Sequence, residues 1–436
     1  MQSKIEAFED EKMSFARERT YFMNKIMASQ IQFGKQLARG AEGEVWSGRL
    51  IGHDYRGPVA IKRALPLPDD KGSDTLRAWD EREVDFLLQM KHERIVTFVG
   101  AGEMFVQRWD CTVLFIVQEF MTGGSIDRAL WEPKPTPRES LSWQTRVQWA
   151  SDIAEGMAFI HSRGYTHRDL KSKNVLYDKD TMRAKVADFG MSVSVEDAPP
   201  NRISSSGVHT SLLSDVGAAP VQPKFMTAQC GTPRWMAPEL ASAALKAYQK
   251  AEAIFSHKRH SRAEAQAKES YWQFQADNSL VQYTQMVDVY AFAITMFEIC
   301  THSPPWEETE AEDEVFAKVV AHQRPTLNGD VEAESPTGWV ELMYVCWDRQ
   351  PNLRPTFNEI CNRLRTMCHL VKDRKAMGQE SYDLRVVSPR GSSGAPRFQS
   401  LPVPTRSIES SRKKPRYKSG EPFQQHRVGS LEEHLI

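Results

Sequence analysis

Hydrophobic and polar positions follow different periods along this chain. Phe8, Phe15 and Phe22 recur every seven residues and no Gly or Pro precedes Gly34, so roughly residues 3–28 read as one helix with a narrow apolar stripe. Such a stripe suits a helix lying on whatever follows it; a dimerising coiled coil needs more heptads. From Ile31 to about Phe120, short β-branched and aromatic runs (Glu44-Val45-Trp46, Val59-Ala60-Ile61, residues 95–99 and 113–117) are broken by Gly and Pro, with one helical stretch over about 76–90. Strands around a single helix predict a small β-rich lobe. After Gly123-Gly124-Ser125 the apolar spacing becomes three and four, and predicts helices over 143–162, 287–300 and 339–346 in a larger lobe.

Two segments look inserted. Between Phe189 and Cys230 a Ser-, Pro- and Gly-rich stretch holds too few large apolar residues to offset the entropy of ordering it, and predicts a mobile loop. Residues 239–303 contain no Gly or Pro, and 241–270 are rich in Ala, Lys, Glu and Gln, which predicts an exposed additional helix. Its basic side (Lys246, Lys250, Lys258, Arg259, Arg262) reads as a solvated face, with a docking surface as the other reading. Past about Arg374, basic residues outnumber acidic ones, Ser and Pro are frequent and periodic apolar residues vanish, the pattern of a disordered tail. The expected organisation is an N-terminal helix (1–30), a β-rich lobe (31–120), a helical lobe (121–373) carrying a long loop (188–239) and an inserted basic helical segment (about 241–275), and a tail (374–436).

Composition narrows the class. Of 436 residues, 40% are hydrophobic and 26% charged, ordinary for globular material, and the formal net charge of -1 gives no basic excess for nucleic acid. Six cysteines without CxxC spacing argue against a disulfide framework or a thiolate zinc site and fit a reducing compartment. No apolar run approaches the roughly 18 residues of a membrane span, and the polar start Met1-Gln2-Ser3-Lys4 is no signal peptide. The expectation is a soluble, cytoplasmic chain, whether whole or one segment of a longer product.

The chemistry concentrates in His167-Arg168-Asp169-Leu170-Lys171-Ser172-Lys173-Asn174 and, fourteen positions after that Asn, Asp188-Phe189-Gly190. Two carboxylates and an amide on short loops can position a hydroxyl and hold a hard cation against a triphosphate. These strings match the catalytic and metal loops of protein kinases residue for residue. Further matches stand in the family's order: the Gly-rich hairpin Ala38-Arg39-Gly40-Ala41-Glu42-Gly43-Glu44-Val45, then Val59-Ala60-Ile61-Lys62, then Glu83 on the helical stretch. Cys230 to Glu239 resembles the segment that receives the polypeptide substrate, and its Gly-Thr-x-x-Trp-Met-Ala-Pro-Glu form is most similar to the tyrosine-kinase-like group of serine/threonine kinases. Asp288-Val289-Tyr290-Ala291-Phe292 resembles the buried helix that anchors the catalytic loop, and residues 346–357 the family's closing motif. The resemblance covers about residues 31–370.

It implies an α+β, two-lobed protein kinase fold, with ATP in the cleft and Mg²⁺, or alternatively Mn²⁺, on the phosphates. By resemblance, Lys62 oriented by Glu83 would set the phosphates, Asn174 and Asp188 would ligate the metal, Asp169 would align the attacking hydroxyl, and Lys171 would neutralise the transferred group. Ala38, Gly40, Gly43, Val45, Ala60, Gln118, Glu119, Met121 and Leu176 would join Lys62 and Asp188 around the nucleotide. Thr232 would contact Asp169 and Lys171, and Arg354 would pair with Glu239. The departures are peripheral: Ala38 replaces the first Gly of the hairpin, Ala291 and Ala293 stand where Ser and Gly are commoner, and Gln118 is polar before the hinge Glu119-Phe120-Met121.

Partners implied are protein substrates and an upstream activating kinase, because Arg168 precedes the catalytic Asp, a position that often holds a phosphorylated activation loop. Thr227 is the first choice of loop site, and Ser204–Ser206 the alternative. Arg397-Phe398-Gln399-Ser400-Leu401-Pro402 has the RxxSxP arrangement read by phosphoserine-binding adaptors. The rival readings are a pseudokinase scaffold that binds nucleotide without catalysis, and a kinase-like enzyme acting on small molecules.

Overall fold

Strand alternation builds the first lobe. The computed structural model describes residues 24–40, 43–65, 84, 86–131, 141–194, 224–227, 232–255 and 280–376. Strands β1 (Ile31–Arg39), β2 (Gly43–Leu50), β3 (Val59–Ala64), β4 (Phe98–Val106) and β5 (Cys111–Glu119) form one antiparallel sheet ordered β1-β2-β3-β5-β4. Val59, Ile61, Phe115 and Val117 share one face and are buried with Ile26. Side chains alternate along a strand, so Lys62 and its cross-strand partner Ile116 face the other way. On that side Val84, Phe86, Leu87 and Met90 bury the helical segment that ends at residue 89. The strand expected over 95–99 begins later, at Phe98, with Ile95 making an isolated bridge to Val186.

The helix expected over 3–28 does not reach its C-terminal end. Asn24 to Met27 run extended along β4: Ala101 N–H donates to the Asn24 carbonyl (3.0 Å) and Ile26 N–H to the Ala101 carbonyl (2.8 Å). Pairing of both backbone groups and burial of Ile26 outweigh the local helical pattern. A Cβ at Gly102 would lie 2.1 Å from the Ile26 carbonyl oxygen, so β4 has no room for a side chain beneath this segment. Residues 1–23 lie outside the described residues.

The second lobe contains β6 (Gly124–Ser125), α1 (Ile126–Trp131), α2 (Trp143–Ser162), β7 (Tyr165–Thr166), β8 (Val175–Tyr177), β9 (Ala184–Val186), β10 (Val193–Ser194), β11 (Lys224–Thr227), α3 (Pro238–Phe255), β12 (Leu280–Tyr283), α4 (Met286–Thr301), α5 (Glu312–Val320), α6 (Gly329–Glu334), α7 (Trp339–Cys346) and α8 (Phe357–Ala376). Helix α2 starts where Ser142 Oγ accepts the Thr145 N–H (3.2 Å), a side-chain cap. Helix α4 is mostly apolar and buried from Val287 to Cys300, the axis of the lobe, with Asp288, Thr295 and Glu298 as its buried polar residues.

Two expectations about the inserted segments change. The helix expected to start at 241 and lie exposed is the continuation of α3, and Ala241 and Ala244 are buried in the core. Its small side chains let it pack closely, which composition alone does not reveal. The loop expected between 188 and 239 contains strand β11, paired antiparallel with β12 so that Thr227 lies opposite Leu280. Residues 195–223, 256–279 and the tail from 377 lie outside the described residues; α8 itself continues past 373, to Ala376. Among the described residues no helix is long and apolar enough to cross a membrane.

Candidate active site

One buried carboxylate fixes the loop that carries the reactive groups. Asp288, in the first turn of α4, accepts the backbone N–H groups of His167 (2.8 Å) and Arg168 (2.9 Å) and the His161 Nε2–H (2.8 Å). Burial pushes its carboxyl up, but the His161 hydrogen bond and charge and the His167 amide hold it below the ordinary range. Arg168 sits at φ 69°, a left-handed conformation that these bonds to Asp288 secure. The Arg168 Nε–H reaches forward to the Met191 carbonyl (2.5 Å), beyond the second carboxylate loop.

This anchoring presents Asp169 with a full set of donors. Its Oδ2 accepts from Lys171 Nζ (2.6 Å) and Asn174 Nδ2 (2.9 Å), and its Oδ1 from Thr232 Oγ1 (2.8 Å). Lys171 Nζ also donates to Thr232 Oγ1 (2.5 Å), so both contacts expected of Thr232 are present. Across the cleft Lys62 Nζ lies 3.3 Å from Asp188 Oδ1. Desolvation works against charge on Asp188, but the Lys62 ammonium holds its carboxyl below the usual range, leaving it an anion at neutral pH. Side-chain exposure separates the two carboxylates: Asp188 is 43% exposed and faces the open cleft, whereas Asp169 is 14% exposed.

The two loops are locked together. Ala187 N–H donates to the Asn174 carbonyl (2.9 Å), and His167 Nε2 to the Ala187 carbonyl (3.2 Å). Phe189 is buried between Phe86 and His167, with ring centroids at 4.7 and 5.3 Å, which ties the Asp188 loop to the helix of the first lobe. Asn174 turns its amide nitrogen to Asp169, and its Oδ1 and the Asp188 carboxylate are the oxygens that would hold a cation. Oxygen ligands from one amide and one carboxylate fit Mg²⁺, which binds through few protein groups plus substrate phosphates. Among the described residues no three His, Cys, Asp or Glu side chains gather as a metal site.

The nucleotide candidates also come together. Ala38 pairs with Val45 and Val45 with Lys62, so these three stand abreast on β1, β2 and β3, while Ala60 opposes Gln118 on β5. Met121, Val96 and Ala187 form one apolar cluster with Leu176 against it. Gly40 N–H donates to the Gly43 carbonyl (2.9 Å) and closes the hairpin. Gly43 has a reason beyond phosphate access: a Cβ there would lie 2.5 Å from the Arg63 carbonyl oxygen. Glu119 commits its carboxylate to Thr97 Oγ1 and Lys185 Nζ, both at 2.6 Å, so its side chain braces the hinge. Glu83 lies outside the described residues.

The segment after Thr227 is held from beneath. Arg234 Nη1 and Nη2 donate to the carbonyls of Pro305 (2.9 Å), Trp306 (2.5 Å) and Thr309 (2.6 Å). Trp235 Nε1–H donates to Glu298 on α4 (2.7 Å). The expected pair of Arg354 with Glu239 is bidentate, at 2.7 and 2.8 Å. Sequence reasoning did not single out Arg234 or Glu298. Glu298 left a signal, as the one charged residue between Val289 and Cys300 in an apolar run.

Comparison with known proteins agrees with this geometry. The family model for protein tyrosine and serine/threonine kinases matches residues 31–210 and 256–364. A probable LIM domain-containing serine/threonine-protein kinase of Dictyostelium discoideum is 28% identical over 365 residues, 83% of this chain and 43% of that protein. From Arabidopsis thaliana, the serine/threonine-protein kinase STY17 is 28% identical over 353 residues (80% and 46%), and the serine/threonine/tyrosine-protein kinase HT1 is 28% identical over 346 residues (79% and 68%). The chain spans less than half the length of the first two. These matches uphold the resemblance read from the motifs. With well over half of its residues under one family model and the motif positions gathered in one cleft, the chain belongs to the protein tyrosine and serine/threonine kinase family.

Proposed function

We propose that this chain is an ATP- and Mg²⁺-dependent protein kinase of the tyrosine-kinase-like group that transfers the γ-phosphoryl group to serine or threonine hydroxyls of protein substrates. The observation that carries the reading is Asp169, tied to Lys171, Asn174 and Thr232 beside the Lys62–Asp188 pair. Bound Mg²⁺ would neutralise charge on the phosphates; Asp188 and Asn174 would hold it. Lys62 orients the phosphates. Asp169 takes up and aligns the hydroxyl, and Lys171, already against Asp169 and Thr232, places positive charge where the phosphoryl group passes. A Lys at 171 supports serine/threonine over tyrosine transfer.

Mg²⁺ and ATP at about 100 times Kd should stabilise the folded chain by about 2.7 kcal/mol, and Asp188→Asn should lose most of that gain. Thermal shift with and without the metal reads it; equal stabilisation of both proteins would remove Asp188 from the metal site. Control through the activation loop is part of the proposal, since Arg168 reaches the Met191 carbonyl and Thr227 lies on the paired strand β11. Phosphatase treatment is expected to lower the transfer rate, and Thr227→Ala to mimic the treatment. A phosphatase-insensitive rate would end the loop-control reading, and a wild-type rate in Thr227→Ala would move the site away from Thr227.

A further inference from the structure

The loop between Asp188 and Glu239 meets a strand partner near each end. Near its start, Val193 and Ser194 pair with Thr166 and Tyr165 of β7. Near its end, β11 pairs antiparallel with β12: Lys224 with Tyr283, Phe225 with Gln282, Met226 with Val281 and Thr227 with Leu280. The C-terminal end of β12 is fixed. Just past it, Thr284 accepts the Met286 N–H at Oγ1 (3.3 Å) and the Val287 N–H at its carbonyl (3.2 Å), in the first turn of α4. Gln285 Nε2 donates to the carbonyls of Tyr165 (2.7 Å) and His161 (3.2 Å), so one side chain ties the end of β12 to β7, the partner of the other arm. We propose that β12 is a strand clasp that withholds Thr227 from modifying enzymes, and that opening of the β11–β12 pair is the step that admits phosphorylation. The inference rests on the reading of Thr227 as the loop site and deepens it.

Reaction at Thr227 requires a free strand. Phosphorylation forms an ester bond between Thr227 Oγ1 and the γ-phosphorus of ATP, breaks the bond to the oxygen that leaves with ADP, and releases the hydroxyl proton. That hydroxyl has to lie in line with the phosphate inside the cleft of another kinase molecule, with the chain around it extended and unpaired. Backbone committed to a ladder in its own lobe cannot enter such a cleft. The pairing does not work by disordering the catalytic centre, because the contacts among Asp169, Lys171 and Thr232 are complete while β11 and β12 are paired. It therefore governs the modification and not the assembly of the cleft. A ribbon of two short strands is marginal by itself, which suits a clasp that has to open.

The test uses the full chain carrying Asp169→Asn as acceptor, wild-type chain as enzyme and ATP with Mg²⁺, and follows phosphate on Thr227 by mass spectrometry. Trypsin supplies a second probe, since cleavage after Lys224 also takes an extended, unpaired strand; its initial rate is read against cleavage after Arg202 in the same loop. N–H groups facing the partner alternate along an antiparallel strand, so of Val281→Pro and Gln282→Pro one removes a ladder donor and the other does not. One proline variant, and only that one, is expected to raise both rates about three- to tenfold, the range that one net hydrogen bond allows. Gln285→Ala, which leaves both strands whole but unties β12 from β7, should raise them less. Unchanged rates in both proline variants, or faster cleavage without faster phosphorylation of Thr227, would overturn the proposal. Should the proline variants fail to fold, rates in Gln285→Ala equal to wild type count against it. A wild-type chain that phosphorylates neither Thr227 nor an added protein would sink the kinase reading instead, and the cleavage rates would then decide the clasp by themselves.

Discussion

Asp169→Asn is expected to slow phosphoryl transfer by about 10² to 10⁴-fold, the usual contribution of a positioned general base, while the fold and ATP affinity stay as they are. The substitution is nearly isosteric, yet it replaces an acceptor facing Lys171, Asn174 and Thr232 with an amide. It thereby removes both the negative charge that Lys171 Nζ meets at 2.6 Å and the site that would take up the hydroxyl proton. Single-turnover rates with labelled ATP, set beside a nucleotide-binding isotherm, check it. A rate within about threefold of wild type would strip Asp169 of its role.

The second large effect is on stability. Arg354→Ala should cost about 3–5 kcal/mol, because it leaves a mostly buried carboxylate bare. The Arg354 side chain has no exposure and Glu239 only 15%; besides Glu239 the guanidinium serves the carbonyls of Met286 (2.9 Å) and Asp348 (2.8 Å). These contacts join the end of the substrate-binding segment to the start of α4, so the variant should also lose transfer activity. Denaturant unfolding of Arg354→Ala, Glu239→Ala and the double variant gives the coupling: the double should cost clearly less than the two singles together. Additive losses would show that the pair does not act as a unit.

What could be read from the sequence divides along physical lines. The helices at 143–162 and 339–346 appear in the structure with those bounds, since their apolar spacing is the cause of their burial. Asp169, Lys171 and Asn174 were legible because one tight loop places them, and Asp188 because its motif is a contiguous string. Contacts made at a distance were not. Nothing around Asn24 to Ile26 says that their backbone is claimed by Ala101, and the seven-residue Phe spacing pointed to helix instead. Pairing of β11 with β12 joins residues more than fifty apart, on either side of α3. Glycine at 43 reads as a phosphate-cradle residue, and the sequence does not show the further constraint that the neighbouring strand leaves it no room for a Cβ. Ala241 and Ala244, part of the Ala-rich run that reads as a free helix, are buried where α3 meets the core.

The most direct test of the central claim is the identity of the phosphorylated residue. Wild-type chain, γ-labelled ATP, Mg²⁺ and a generic basic protein are incubated, the product is hydrolysed and its phosphoamino acids are separated, with Asp169→Asn run alongside. Label on phosphoserine and phosphothreonine, dependent on Mg²⁺ and missing from the variant, is the expected result. Label on phosphotyrosine alone, or no transfer by a wild-type chain that still binds ATP, would contradict the account and leave a nucleotide-binding scaffold in its place.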